Sequence, residues 1–300
     1  MKFKGVLAGS SILLVILAVS IVWPLVKAEP AVQVFLYDEA GKLVDTPPYS
    51  PSEEYWLGAD REGNDLFYTL VAGAKWTLLF ALTVTTLRVL ISVIIGLFSR
   101  RLFSTVWVGG FMQAFNYIPQ SLLAIIWLAP FLLYELRTKP PLDLGETLVL
   151  QIVVLTLVGI PTLTRMVAET TDHIYTFEFM ESARILGGSR WHIARVHVLP
   201  HLLPRMAVLY GRQLVQVLTL ILHLAIFHIF LGGTIIRSGQ EHDQFNNYYT
   251  QTFEWAGLIG SRYEELLLEP FIIFFPVMAY SLLILVINMI VNGIEEKTTL

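Results

Sequence analysis

Side chains able to do chemistry are few in this chain, and they fall in four places. His192, His197 and His201 lie close together, and His197 and His201 are i and i+4, the spacing that puts two imidazoles on one helix face. Pro200 breaks such a helix and no carboxylate stands close by, so a solvated interfacial face is expected there and not a metal site. Asp60 and Asp65 sit in the run Asp-Arg-Glu-Gly-Asn-Asp, which has the start of a calcium loop but lacks its remaining ligands and its terminal Glu. With Gly58 and Gly63 they are expected to do turn and capping chemistry. Arg212, Gln216, Thr219 and His223 follow one another by four, three and four residues, which places them on one narrow helical stripe among apolar neighbours. Arg88 stands alone in a second apolar run. Charge inside a bilayer is costly and normally faces a bundle interior or water. Two readings of Arg88 and the stripe remain open: the lining of a translocation path, or helix-to-helix contacts in which these groups hydrogen-bond a partner subunit. The apolar runs hold no acidic residue, so the partner of Arg88 is expected to be a second subunit, water or a substrate carboxylate.

Several chemistries have no support. There is no GxxxxGK[ST], so the chain does not cradle ATP phosphates, and no GxSxG or HExxH. The absence of Cys removes disulfides, Fe–S clusters and thiol catalysis.

The elements that must position these residues are membrane helices. The chain is 55% hydrophobic and 15% charged, where a soluble domain carries about 25% charge. Its apolar residues gather in runs near the roughly 20 needed to cross a bilayer. The expected fold class is an all-α polytopic membrane protein with six transmembrane helices, at 5–26, 76–98, 112–134, 147–164, 206–231 and 270–294. Both termini are expected on the cytoplasmic side, where the connecting segments are denser in Lys and Arg. Residues 34–47 have the look of a β-hairpin. Residues 56–75 are expected to form a capped, tightly turned connection into an interfacial helix, with Phe67, Leu70 and Val71 on its apolar side.

Glu181 to Pro200 interrupts this pattern with charge. Ile174, Phe177, Met180 and Ala183 are three apart on one slowly turning face, so 172–186 is expected to be helical. Gly187 and Gly188 stop that helix, Ser189 caps a second short one, and Pro200 ends it. This stretch resembles the cytoplasmic loop of permease subunits of binding-protein-dependent ABC importers: Glu-Ala-Ala, three residues, Gly, nine residues, an apolar residue, one residue, Leu-Pro. Glu181, Ser182, Ala183, Gly187, Leu199 and Pro200 stand in register, with Ser182 in place of Ala and His197 at the apolar position. Residues 56–78 resemble the segment before the second span of dipeptide, oligopeptide and nickel permeases of the C type. Gly58, Asp60, Gly63, Asp65 and Gly73 match, whereas Ala59, Asn64 and Lys75 depart from the usual Thr, Arg and Arg.

The resemblance implies a fold, a function and partners. Residues 1–75 would be an N-terminal span with an extracytoplasmic loop, 76–294 the transmembrane domain of a type I ABC importer, and 295–300 a cytoplasmic tail. The first helix of the loop would dock into an ATPase subunit and transmit its closure. The partners implied are a second permease, two ATPase subunits that bind the ATP and Mg, an extracytoplasmic substrate-binding protein, and lipid. No cofactor in this chain and no nucleic acid is expected. Di- or oligopeptides are the expected substrate, with nickel or another small solute as a variant. An ion-coupled secondary transporter using Arg88 and the stripe is the alternative from another class; the six spans without a visible inverted repeat count against it.

Overall fold

The structure is a computed structural model that describes residues 2–27, 30, 32, 35–37, 43–103, 106–115, 117–133, 142–187, 189–238 and 246–298. In chain order these form α1 (Lys2–Val26), β1 (Leu36–Tyr37), β2 (Leu43–Asp45), α2 (Leu66–Phe103), α3 (Val106–Ala114), α4 (Gln120–Leu132), α5 (Leu144–Ile174), α6 (Glu178–Ile185), α7 (Arg190–Ile193), α8 (Leu199–Ile226), β3 (Thr234–Ser238), β4 (Asn246–Thr250), α9 (Trp255–Gly260) and α10 (Pro270–Thr298).

Among the described residues five helices, α1, α2, α5, α8 and α10, are long and apolar enough to cross a membrane, so the chain is a helical, polytopic membrane protein. They start and stop for local reasons. Asp65 accepts from the amide of Phe67 at 2.8 Å and caps the start of α2. Asp143 and Glu146 form a capping box on α5, each side chain accepting from the other's backbone amide. α2 runs without a break for 38 residues, about 57 Å at 1.5 Å per residue. It therefore absorbs the interfacial helix expected within 56–75. Leu70 is turned toward the core, and its carbonyl accepts from the indole of Trp255 at 2.7 Å.

The span expected at 112–134 is not one helix. α3 ends at Ala114, and α4 begins only after Pro119 and holds 13 residues. Pro119 has no N–H to continue a ladder and pushes Ile118 out of helical geometry, so the chain breaks there. The α4 helix covers only about 20 Å, short of a 30 Å hydrocarbon layer. Proline is tolerated where neighbours are close: Pro161 stays inside α5 and Pro276 inside α10.

The long helices wrap one core. α2 lies along α5; α8 packs between α2 and α10; α1 covers α10 and α2; α4 fills the space between α5 and α8. Small residues bring α1 close to α10, since a Cβ on Gly9 would lie 2.5 Å from Ile290. Polar cross-links tie backbone to side chain: Tyr280 donates to the Leu218 carbonyl at 2.7 Å. The remaining large apolar side chains, such as Leu14, Val15, Leu90, Val149, Leu157 and Leu285, point outward, as a lipid-facing surface requires.

The expected hairpin in 34–47 forms where it is described, with Leu36 opposite Asp45 and Tyr37 opposite Leu43; its turn lies outside the described residues. A second hairpin, β3–β4, stands between α8 and α9 and was not anticipated. It brings Thr250 and Thr252 back over the end of α8. At the same end Trp23 and Trp56 both pack on Phe67, with ring centroids 5.6 and 5.2 Å apart. Such amphipathic rings mark a membrane–water boundary.

Candidate functional site

The loop between α5 and α8 rests on a small core of its own. Ile174 and Met180 are buried with Ile193, Val198, Leu202, Leu163 and Val167, and Phe177 and Ala183 pack against them. These include the four residues whose spacing marked an inner face. The helix expected over 172–186 is, however, two helices. The chain turns at Tyr175–Phe177, where the Thr176 and Phe177 amides bond back to His173 and Ile174, and α6 starts afresh at Glu178.

α6 ends as the sequence requires. Gly187 has φ +79°, the left-handed backbone of a helix C-terminus, and nothing lies within 4 Å of where its Cβ would be. Only the backbone conformation, not crowding, demands glycine there. Gly188 lies outside the described residues. Ser189 then accepts from the His192 amide at 3.2 Å and caps α7.

Pro200 does not end that helix. The Leu199 amide reaches back five residues to the Ala194 carbonyl, so Ala194–Val198 form a π-helical turn that leads straight into α8. The wider turn makes room for the proline ring, and Pro200 sits in the first turn of α8, where a missing N–H costs least. Of the motif residues, Glu181, Ser182, Gly187 and Pro200 are exposed, while Ala183 and Leu199 are half-buried. Beside them Phe179, Ile185, Leu186 and Trp191 are exposed, Leu186 at 87%. His197 and His201 surround Phe179, at 6.3 and 5.2 Å between ring centroids. Among the described residues no group of three His, Asp or Glu side chains could hold a metal ion.

The stripe on α8 lies on one face, as its spacing predicts. Arg212, Gln216 and His223 are exposed and Thr219 is half-buried, while Leu214, Val217, Leu218 and Leu220 point inward. The four do not bond to one another. Arg212 holds Glu295 of α10 at 2.7 Å, Gln216 accepts from Gln213 at 2.8 Å, and Thr219 donates to the Val215 carbonyl at 3.0 Å.

Arg88 lies apart from this stripe. It is fully buried between α2, α4 and α5. Its Nε donates to the Leu155 carbonyl at 2.8 Å, Nη2 donates to the same oxygen, and Nη1 reaches Gln120 Oε1 at 3.4 Å. The expectation that its partner must be water, substrate or a second subunit is corrected by this: the chain supplies neutral acceptors itself.

At the other end of the bundle, Gly58 and Gly63 adopt φ +85° and +81°, and Asp60 is buried in the turn they allow. Asp60 accepts from the amides of Glu62 and Asn64 at 3.0 and 2.8 Å, and Arg262 holds both Asp60 (2.6 Å) and Glu62 (2.9 Å). The oxygens of Asp60 are thus engaged in turn and capping bonds.

Two residues that spacing did not single out organise this end. Gln151 of α5 donates to the Phe230 carbonyl at 2.8 Å and accepts from the Gly232 amide at 3.0 Å. Glu254 is fully buried and accepts from the amides of Leu231 (2.9 Å) and Gly257 (2.7 Å), capping α9. An acid placed immediately before an apolar Trp-Ala-Gly-Leu run was the available signal. Burial pushes the Glu254 carboxyl up to about 8, against the pull of its two amide donors. Because the folded chain holds this proton above the ordinary value of 4.5, stability is greatest at or below that value. It then falls as pH rises toward about 8. The melting temperature of the detergent-solubilised protein should therefore decline across that window, and Glu254→Gln should flatten the decline. An unaltered slope in the variant assigns the effect to another group.

Residues 66–299 match the family model described as binding-protein-dependent transport system inner membrane component. The glutathione transport system permease protein GsiD of Pectobacterium atrosepticum is 21% identical over 247 residues, which cover 82% of this chain and 72% of that protein. GsiD of Escherichia coli O1:K1 is 23% identical over 285 residues, 95% of this chain and 82% of the relative. The probable D,D-dipeptide transport system permease protein DdpC of Escherichia coli K12 is 27% identical over 158 residues, 53% and 49% of the two chains. The chain belongs to the binding-protein-dependent transport system inner membrane component family, as a multi-pass permease subunit of an ABC importer that is not itself catalytic, holds no cofactor and leaves ATP hydrolysis to a separate subunit.

Proposed function

We propose that this chain forms half of the transmembrane path of a di- or oligopeptide importer, with α6 as its docking element. The observation that carries this is the loop of Glu178 to Val198: a self-supported inner face beneath an outer face of exposed Phe179, Ile185, Leu186 and Trp191. Exposed apolar residues on a charged, water-facing loop mark a contact with a protein partner. An ATPase subunit is the partner that an importer permease requires. α5 leads directly into α6, so movement of the docked helix is delivered to the middle of the bundle.

In this reading α3 and α4 together supply a sixth crossing, both termini are cytoplasmic, and the α6 end faces the cytoplasm. The α9 end, with Gly58, Asp60, Gly63 and Asp65, faces outward toward the substrate-binding protein. Arg212, Gln216, Thr219 and His223 line the path or contact a second permease. Peptide as substrate is supported by the named cargoes of the relatives, glutathione and D,D-dipeptide.

The chain has no cysteine, so single cysteines can be introduced for labelling. A cysteine at Ser182 should react only from the cytoplasm and one at Glu62 only from outside. An affinity-tagged chain should bring a second permease and an ATPase out of the membrane. Reconstituted with its binding protein, the complex should take up a labelled dipeptide only when ATP is supplied. A chain that purifies alone and transports without ATP would sink the reading.

A further inference from the structure

The interface between α2 and α5 is unlike the rest of the core. Thr85, Arg88 and Ser92 share one face of α2, and Thr156, Thr164 and Thr171 share one face of α5. All six are buried, and the hydroxyls of the five Thr and Ser residues make no hydrogen bond among the described residues. Buried hydroxyls usually find a partner, so five in one seam signal donors and acceptors that this arrangement leaves unused. Packing along the seam is close but unbranched at two points. A Cβ on Gly159 would lie 2.4 Å from Arg88 Nε, and one on Gly96 would lie 2.7 Å from Val167. Pro161, two residues beyond Gly159, removes a rung of the α5 ladder at the same level.

Arg88 bridges this weakened point. It binds the Leu155 carbonyl on α5 and reaches Gln120 at the start of α4, with no carboxylate to hold it. A guanidinium carries five N–H donors, and the neutral acceptors here leave its binding directional but not tight. Resting on the importer reading, we propose that Arg88 is a latch on a movable seam. It holds α5 against α2 beside Pro161 in this state, and it exchanges the Leu155 carbonyl for the nearer seam hydroxyls, those of Thr85, Ser92 and Thr156, when the docking loop moves. Arg88 thereby acts as a positioning residue for transport, through α5, without contacting the solute.

The test uses the complete importer in lipid nanodiscs and liposomes. Spin labels at Leu90 of α2 and Leu157 of α5, both on the outer surface, report the seam directly. Their separation should change when a non-hydrolysable ATP analogue is added, and Arg88→Met should abolish that change. The number of solutes moved per ATP should fall about tenfold in Arg88→Met, within the range for coupling between sites, with partial rescue by Arg88→Lys. Gly159→Ala, which displaces the guanidinium, should reproduce the loss, yet add nothing further in the Arg88→Met background. A wild-type label pair with one nucleotide-independent distance overturns the latch, and does so even where Arg88→Met fails to assemble. An Arg88→Met complex with wild-type solutes per ATP also overturns it. Failure of the importer reading looks different: no ATPase accompanies the wild-type chain at all.

Discussion

A chain carrying Leu186→Asp and Trp191→Asp is expected to reach the membrane folded and without its ATPase. Both side chains are largely exposed, at 87% and 62%; Leu186→Asp removes little from the chain's own packing, and Trp191→Asp gives up a stack on Phe98 at 5.6 Å, about 1 kcal/mol. Buried in a docked complex, each anchor of this kind typically contributes about 2 kcal/mol or more. Losing both weakens the contact by on the order of a thousandfold. Glu181→Lys reverses a charge on the same exposed helix and should weaken docking less. Gly187→Val places a β-branched residue in a left-handed turn, at about 1–2 kcal/mol, and tilts the end of α6 away from its groove. Pull-down of the ATPase and substrate-stimulated ATP turnover measure these effects. A double-Asp variant that retains its full ATPase complement would remove this surface from the docking site. The buried control is Met180→Asp, which should destroy the loop itself because Met180 has no exposed surface.

The parts of this molecule that depend on periodicity and turn chemistry could be read from the chain. Four long apolar runs and the N-terminal one became helices, although α2 begins ten residues before its expected start and α5 ends ten residues after its expected end. The spacing of Ile174, Phe177, Met180 and Ala183 marked the inner face of the loop, and Gly187 its stop. The failures each have a physical cause. Pro119 was expected inside a span because prolines are tolerated there, but tolerance depends on neighbours that rescue the freed carbonyl, which sequence does not display. Pro200 was expected to end a helix, and a π-helical turn absorbed it. Arg88 was assigned outward partners because no acid lies in the spans. A backbone carbonyl two helices away leaves no mark in composition. The clasp that Gln151 and Glu254 make with main-chain amides more than 20 residues distant was invisible for the same reason, and only the acid before the Trp-Ala-Gly-Leu run signalled a cap.

Gly73→Ala is expected to be the most destructive glycine-to-alanine change among the described residues. A Cβ there would lie 1.8 Å from the Phe253 carbonyl oxygen and 2.6 Å from its carbon. The neighbour is backbone, so no rotamer change relieves the overlap. Nor can that backbone retreat. Phe253 already holds φ +53°, a left-handed conformation that a bulky residue avoids. The next two residues are pinned: Glu254 by the amides of Leu231 and Gly257, and Trp255 by bonds from its amide to Thr77 at 3.0 Å and from its indole to Leu70 at 2.7 Å. Thr77 and Leu70 lie one turn either side of Gly73 on α2, so the helix and the α9 segment are fastened above and below the point of contact. Relieving the overlap requires breaking one of those fastenings, at about 3 kcal/mol or more. Gly110→Ala is the matched control, because nothing lies within 4 Å of its Cβ and alanine favours a helix by about 1 kcal/mol. Fluorescence-detected melting of the two variants, solubilised in parallel, should show Gly73→Ala lost or greatly lowered and Gly110→Ala equal to or above the parent. Equal melting of both would mean that α2 and the Phe253–Trp255 segment are not in contact through Gly73, and the clasp at this end would have to be redrawn.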